Sequence, residues 1–286
     1  MAQKFEAGGV TQTLRTRVGQ GQSGNKTGLY NQDATQQSSL GLALDADDGT
    51  SYRYSHFVAA VTAGKLSAID VSVGGFASID GKFTDSAGTA KDDYGTDDDV
   101  IYLTDTGTFQ SENDAANVWA GGSLYITDAA GQGHRYRIKE HPQPEVEPAT
   151  AGAIKLVLQD KLAAALDSES SAAIVGHQYK NLTTATTTDN FVSGVTMRDV
   201  TAANFAWAQT WGWANVLIDG EATIQLGGIA VLSDEDAGAA KIFGLKSLDS
   251  ESIDLGFTLA ANPVIGHFGH VSADAEYGPV FLTLQP

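Results

Sequence analysis

Hydrophobic and polar positions alternate with a period of two along much of this chain, most densely over residues 205–234. Phe205, Trp207, Trp211 and Trp213 all fall on odd numbers, the spacing that puts side chains on one face of an extended strand. Ala222, Ile224 and Leu226 alternate with Glu221, Thr223 and Gln225, which predicts a half-buried strand with one wet face. After Gly227-Gly228, residues 229–232 read as a short buried strand ending at Ser233-Asp234.

The same reasoning predicts strands elsewhere. Over 51–59, Tyr52, Tyr54 and Val58 share one side and Arg53 and Ser55 the other; 100–103, 153–158 and the terminal 280–284 are apolar runs of strand length. Residues 119–128 and 134–139, joined by a glycine-containing turn at 129–133, predict a β-hairpin. Its second strand alternates Tyr136 and Ile138 with Arg135, Arg137 and Lys139, giving it a basic outer face. Three units repeat a glycine, a strand and a terminal aspartate: Gly64 to Asp70, Gly121 to Asp128, and Gly227 to Asp234. Glycine there supplies an unusual backbone angle and aspartate begins the next turn. One helix is expected, at 160–166, where Asp160 precedes strong helix formers.

These elements predict a mainly β protein of antiparallel sandwich or barrel domains, with an extended N-terminal arm and at most one or two short helices. The expected division is an arm over 1–40, a main β domain over 41–200 and a C-terminal β domain over 201–286. The proline-rich stretch 141–148 is read as a surface loop, because apolar strands resume at once.

Composition adds charge to this picture. The chain has 286 residues, no cysteine, and 17 basic against 35 acidic residues, a formal net charge of −18. Thiolate metal sites and disulfide frameworks are excluded, and nucleic acid and anionic membrane are disfavoured as partners. Residues 1–32 hold Lys4, Arg15, Arg17 and Lys26 against Glu6, a local +3 that leaves −21 for the remainder. Such an arm suits docking on an acidic neighbour, a second copy included; a solubilising tail is the plainer alternative. The opening residues lack an apolar signal core, and no run reaches the ~18 apolar residues of a membrane helix. Synthesis in a cytoplasm is therefore expected.

Candidate chemistry is sparse. Residues 19–27 miss the phosphate-loop pattern because Asn25 separates Gly24 from Lys26. Residues 45–49 resemble a calcium loop only at their start, since His56 stands where the twelfth-position glutamate belongs. Residues 92–99 carry five carboxylates in eight, an irregular ion site or a solvated loop. His267 and His270 are spaced for a metal only on a helix, which Gly266 and Gly269 oppose. His134, His141 and His177 have no catalytic partner in sequence, and neither a nucleophile elbow nor a zinc-protease helix motif occurs. The expectation is no catalytic site, no cofactor and no metal. The aromatic cluster is core, a subunit interface, or a carbohydrate platform.

Three segments resemble virion proteins of tailed bacteriophages. Residues 48–54 (DGTSYRY) with 61–66 (VTAGKL) are similar to the opening of small phage virion proteins. Residues 199–212 (DVTAANFAWAQTWG) resemble a segment of phage structural proteins. Asp219-Gly220, residues 227–234 (GGIAVLSD), and the ending from Val264 to Leu282 resemble capsid cement, or head-decoration, proteins. The resemblance implies a non-enzymatic protein of the outer head surface that binds the major capsid protein and itself, as an oligomer such as a trimer. It implies no nucleic-acid or membrane partner. A tail- or fibre-associated receptor-binding protein is the alternative. On this reading the docking and packing residues are Lys4, Arg15, Arg17, Lys26, Trp207, Trp211 and Trp213.

Overall fold

The alternating runs do pair as strands: in the computed structural model of the protein, every regular element among the described residues is β. The structure describes residues 2–7, 10–16, 28–70, 76–86, 88–91, 93–104, 116–142, 153–186, 191–220, 224–243, 262–270 and 274–285. They form two compact units, one made of residues 1–69 and 179–286 and the other of 70–178.

The first unit begins with β1 (Ala2–Ala7), β2 (Val10–Thr16), β3 (Gln32–Asp33), β4 (Ala43–Ala46), β5 (Ser51–Phe57) and β6 (Leu66–Ile69). The second unit contributes β7 (Phe76–Thr84), β8 (Val100–Thr104), β9 (Ser123–Asp128), β10 (Arg135–Glu140), β11 (Ala153–Leu158) and β12 (Ser171–Val175). The chain then returns with β13 (Leu182–Thr184), β14 (Val192–Thr196), β15 (Asn204–Leu217), β16 (Ile229–Leu232), β17 (Ala240–Ile242), β18 (Val264–Phe268) and β19 (Tyr277–Thr283). This division replaces the expected boundaries at 41–200 and 201–286. Hydrophobic patterning reports strands, and it carries no mark of the point where one sheet hands over to another.

The second unit is a closed antiparallel barrel in the order β10-β11-β8-β7-β12-β9. Closure removes free sheet edges. The inward residues alternate along each strand: Leu124 and Ile126 on β9, Tyr136 and Ile138 on β10, and Leu156 and Leu158 on β11 all belong to one buried cluster. Tyr94 crosses this core. Its hydroxyl donates to the Thr84 carbonyl at 2.5 Å and accepts from the Tyr102 amide at 2.9 Å. The predicted hairpin is β9–β10, with Tyr125 opposite Arg135.

In the first unit, β5, β13, β6, β14 and β15 form a closed pairing circuit, because β15 pairs back to β5. Phe57, Ile69, Leu182, Ala206 and Ala208 from these strands make one buried cluster. The second half of β15 continues the same hydrogen-bonded sheet through β19, β18, β16 and β17. The inner face of this half packs Ala214, Val216, Ala230, Phe268, Val280 and Leu282 together, and a parallel bridge from Ile218 to Ala240 returns β17 to the end of β15. The terminal strand is thus interior, between β15 and β18.

Four local expectations change. The four aromatics at odd positions do not share a face. The pairing of β15 with β5 shifts register between Gln209 and Trp211, and Gly212 follows at φ 85°. A bulge of this kind re-aims the residues beyond it, so Trp207 lies in the core while Trp213 is exposed. The helix at 160–166 does not form. Seven residues barely sustain a helix, and here Leu162 and Leu166 are buried in the barrel core, with Leu166 bridged to Tyr94. Ile224 is buried and Leu226 is exposed in a turn, so they share no strand face. Last, the N-terminal arm supplies β1 and β2, an antiparallel pair joined to β4 through Leu14 opposite Ala46. The threonine-rich, alternating composition of β2 suits an added strand.

Gly212 is the hinge of β15, and a Cβ there would lie 2.9 Å from Thr50 Cγ2 and 3.1 Å from Thr50 Cα. Left-handed strain alone costs a side chain about 1–2 kcal/mol. Gly212→Ala should therefore destabilise the first unit by at least ~2 kcal/mol in chemical denaturation. Tyr94→Phe should cost the barrel about 2 kcal/mol, because it orphans the buried Thr84 carbonyl and the part-buried Tyr102 amide together; hydrogen exchange at Tyr102 would rise with it.

Candidate functional site

A sheet with one face on a core usually turns polar residues to water on the other. The half-sheet β15-β19-β18-β16-β17 does not. Ala214 and Val216 point inward, so Trp213 points outward; Val280 and Leu282 do the same for Phe281, Phe268 for His267, and Ala230 for Ile229. Register aligns these outward residues. Trp213 lies opposite Phe281, Phe281 opposite His267, and His267 opposite Ile229, while the Phe243 amide donates to the Ile229 carbonyl at 2.8 Å. The result is one cross-strand row spanning four strand spacings, about 19 Å.

The row is held rigid by edge-to-face stacking. Phe281 meets Trp211 at 5.8 Å and 74°, and Trp213 at 5.3 Å and 79°. Gly269 supplies the flat floor for Trp213, since a Cβ there would come within 2.3 Å of the indole. Trp213 is 56% exposed, Val264 on β18 is 55% exposed, and Leu226 in the turn before β16 is 74% exposed. Among the described residues, six of the nine exposed large hydrophobics belong to these strands and their turns: Trp213, Leu226, Ile229, Phe243, Val264 and Tyr277. No carboxylate interrupts the row. Clustered exposure of this kind marks an interaction surface.

Of the seven residues expected to dock or pack, Trp213 belongs to this surface and Trp211 is half-buried at its margin. Trp207 takes the core alternative expected of the aromatic cluster: it is 1% exposed and meets Tyr54 edge-on at 5.3 Å. Lys4 and Arg15 lie on the paired backbones of β1 and β2. Arg17 and Lys26, like the 19–27 segment, lie outside the described residues. Phe281, His267, Ile229 and Phe243 escaped sequence reasoning because each sits alone between core residues on a short strand, and only pairing brings them together.

The acidic and imidazole candidates are spent on local structure. Asp48 accepts from the Thr50 amide and hydroxyl at 3.0 and 2.6 Å, and Asp45 from the Ser51 hydroxyl at 2.8 Å, which builds the β4–β5 turn. Asp98 accepts from the Gly95 amide at 2.9 Å, and Asp97 pairs with exposed Lys161; Asp92 is outside the described residues. His141, expected in a surface loop, is buried; its Nε2 accepts from the Trp119 amide at 2.9 Å, which places the ring proton on Nδ1 beside the Pro142 carbonyl.

His267 and His270 are both exposed and share no ligand set with Asp274. Asp274 instead approaches Asp219 and Asp236, with carboxylate oxygens all within 4.8 Å. These are the described residues with oxygens placed for a hard divalent cation. Asp219 is buried and accepts from the Ser233 hydroxyl at 2.5 Å, while Asp274 accepts from the Gly220 amide at 3.1 Å, so the cluster also serves as turn architecture.

A second titrating group lies at the start of β13. Burial holds the Lys180 ammonium down at about 8. Neighbouring His56 is lowered by burial, partly offset by its hydrogen bond to Asn181. Burial also pushes Tyr52 and Tyr179 up to about 12. No family model matches the chain, and no curated protein or solved structure is significantly similar to it.

The pH dependence of the first unit follows from these groups. Between about 8 and the ordinary lysine value of ~10.4, the unfolded chain holds the Lys180 proton and the folded chain does not, so stability rises with pH. Above ~10 the unfolded tyrosines ionise first, and stability falls. Lys180→Met should flatten the rise between pH 8 and 10 in denaturant titrations while leaving the alkaline fall in place.

Proposed function

We propose that the protein is a non-enzymatic structural component of a tailed-phage virion, a cement or decoration protein that binds the major capsid protein and stiffens the head. The observation that carries this reading is the outward row of exposed Trp213, His267, Ile229 and Phe243 around half-buried Phe281. A rigid sheet that spends apolar side chains on water is built to lose that exposure in an assembly. Aromatic side chains supply contact area at little entropic cost, which suits the centre of an interface. The resemblance of residues 199–212 and 227–234 to virion proteins supplies the partner class.

A body with no cysteine suits this role, because its stability rests on packing and assembly. Binding that selects the assembled lattice raises lattice stability by mass action. Self-association as a symmetric oligomer, for instance a trimer, belongs to the same proposal. The exposed indole of Trp213 also favours a second reading, a tail- or fibre-associated protein that stacks the ring on a host glycan.

Purified protein added to expanded heads should bind near-stoichiometrically with the major capsid protein and raise the melting temperature of the heads. Trp213→Ala, which removes an exposed side chain, should leave the fold intact and weaken head binding at least tenfold, about 1.4 kcal/mol. Absence of binding by the wild-type protein would sink the cement reading, and glycan-array binding lost in Trp213→Ala would move the protein to the tail.

A further inference from the structure

The barrel unit carries a second surface of opposite character. Residues 70–178 hold 18 acidic and seven basic residues, and four of the seven cations lie on two adjacent strands. Arg135, Arg137 and Lys139 are exposed along β10, alternating with buried Tyr136 and Ile138. Lys155 is on β11, between core residues Ile154 and Leu156 and opposite Tyr102 of β8. Tyr125 on β9 lies under the Arg135 guanidinium at 5.7 Å, and Arg135 Nε donates to the Ser123 hydroxyl at 3.0 Å.

None of the four cations makes an ion pair with a described carboxylate. Among the described residues of this unit, Lys161 does pair with a carboxylate, Asp97. The acidic residue of β10, Glu140, sits beyond the register shift at Ile138 and Glu140, at the strand end. Asp128 is exposed at the far end of β9, and, Glu140 and Asp128 aside, the exposed or half-buried positions described on β8, β11, β10 and β9 are cationic, aromatic or neutral. Because the barrel is closed, β10 offers side chains and not a free edge.

We infer that this face docks a carboxylate-rich protein surface. Successive outward cations on β10 repeat every ~6.8 Å, the repeat at which carboxylates project from one face of an extended acidic segment. Guanidinium groups bind carboxylates in a two-pronged fork, and Arg135 is already oriented for it by Ser123 and Tyr125. Nucleic acid offers matching anions and meets the same net charge of −18, so charge alone does not separate the two; the ~6.8 Å repeat is that of an extended peptide, which makes a protein surface the occupant, and the competing polyanion in the test separates them. The inference deepens the virion reading by naming the chemistry of the partner's surface, and it rests on that reading only for the partner being a capsid lattice.

The test uses the full chain and poly-L-glutamate as the probe, with oligothymidylate as the competing polyanion, by biolayer interferometry at low salt. Wild-type protein should bind poly-L-glutamate, with affinity falling at least about tenfold as ionic strength rises past the point where the Debye length is ~8 Å. Arg135→Glu with Arg137→Glu should weaken binding at least tenfold, whereas Lys161→Glu should leave it unchanged. If the charge reversal perturbs folding, Arg137→Gln with Lys139→Gln gives the same reading at smaller amplitude. No binding by the wild type, equal binding by the β10 variants, or preference for oligothymidylate would each overturn the inference. Since the assay contains no virion, its failure is separate from any failure of the cement reading.

Discussion

Most of the first unit depends on one strand serving both halves of its sheet. The fourteen residues of β15 pair with β5 and β14 early and with β19 later. A straight strand cannot do this, because its two faces alternate without interruption and would present the wrong residues to the second core. The register shift after Gln209 and the left-handed backbone of Gly212 provide the change of phase. Before them, Trp207 fills one core and Ala206 and Ala208 another; after them, Ala214 and Val216 face a third. The same change turns Trp213 out to solvent. The exposed indole is a geometric consequence of the hinge that closes the fold, and the tight approach of Thr50 leaves only glycine at its pivot.

This explains which parts of the fold were legible in the sequence. Strand existence was legible where alternation was uninterrupted, as in β5 and β10, because burial on one face is the physical cause of the pattern. The turn chemistry was legible too: Gly64, Gly121 and Gly227 all adopt φ values between 75° and 85°, as the repeated glycine-strand-aspartate units required. What failed was inference across a bulge. Parity carried Phe205, Trp207, Trp211 and Trp213 onto one face, and nothing local marks the slip at Gln209. The helix expected at Asp160 failed for a different reason. Its leucines gain more from the barrel core than seven residues gain from helical hydrogen bonds. The aromatic row was illegible in principle, since its members come from residues 213, 229, 243, 267 and 281, and only the register makes them neighbours.

The barrel insertion obeys a simple constraint. The chain leaves the first unit after β6 and re-enters before β13, and these two strands pair with Ile69 opposite Leu182. A long insertion between adjacent, paired strand ends costs little in loop closure, because the cost grows only with the logarithm of length. The inserted segment closes its own sheet and owns its own buried cluster, so it needs nothing from the host sheet to satisfy its backbone. This is why composition gave no boundary: both units are built from the same alternating strands, and the junctions fall inside a hairpin and not at a linker.

Charge then separates the two surfaces by mechanism. The row around Trp213 has no carboxylate, in a chain where acidic residues outnumber basic ones two to one; its attraction is hydrophobic and therefore indifferent to moderate salt. The β10 face acts through fixed cations, whose reach shortens as the Debye length falls. A protein carrying −18 pays a repulsive cost whenever copies crowd together, and that cost is screened by the same salt that weakens the β10 contacts. Contacts through the β10 cations and contacts through the aromatic row would thus respond oppositely to ionic strength: salt weakens the first at short range, and by screening the net charge of −18 it favours the second.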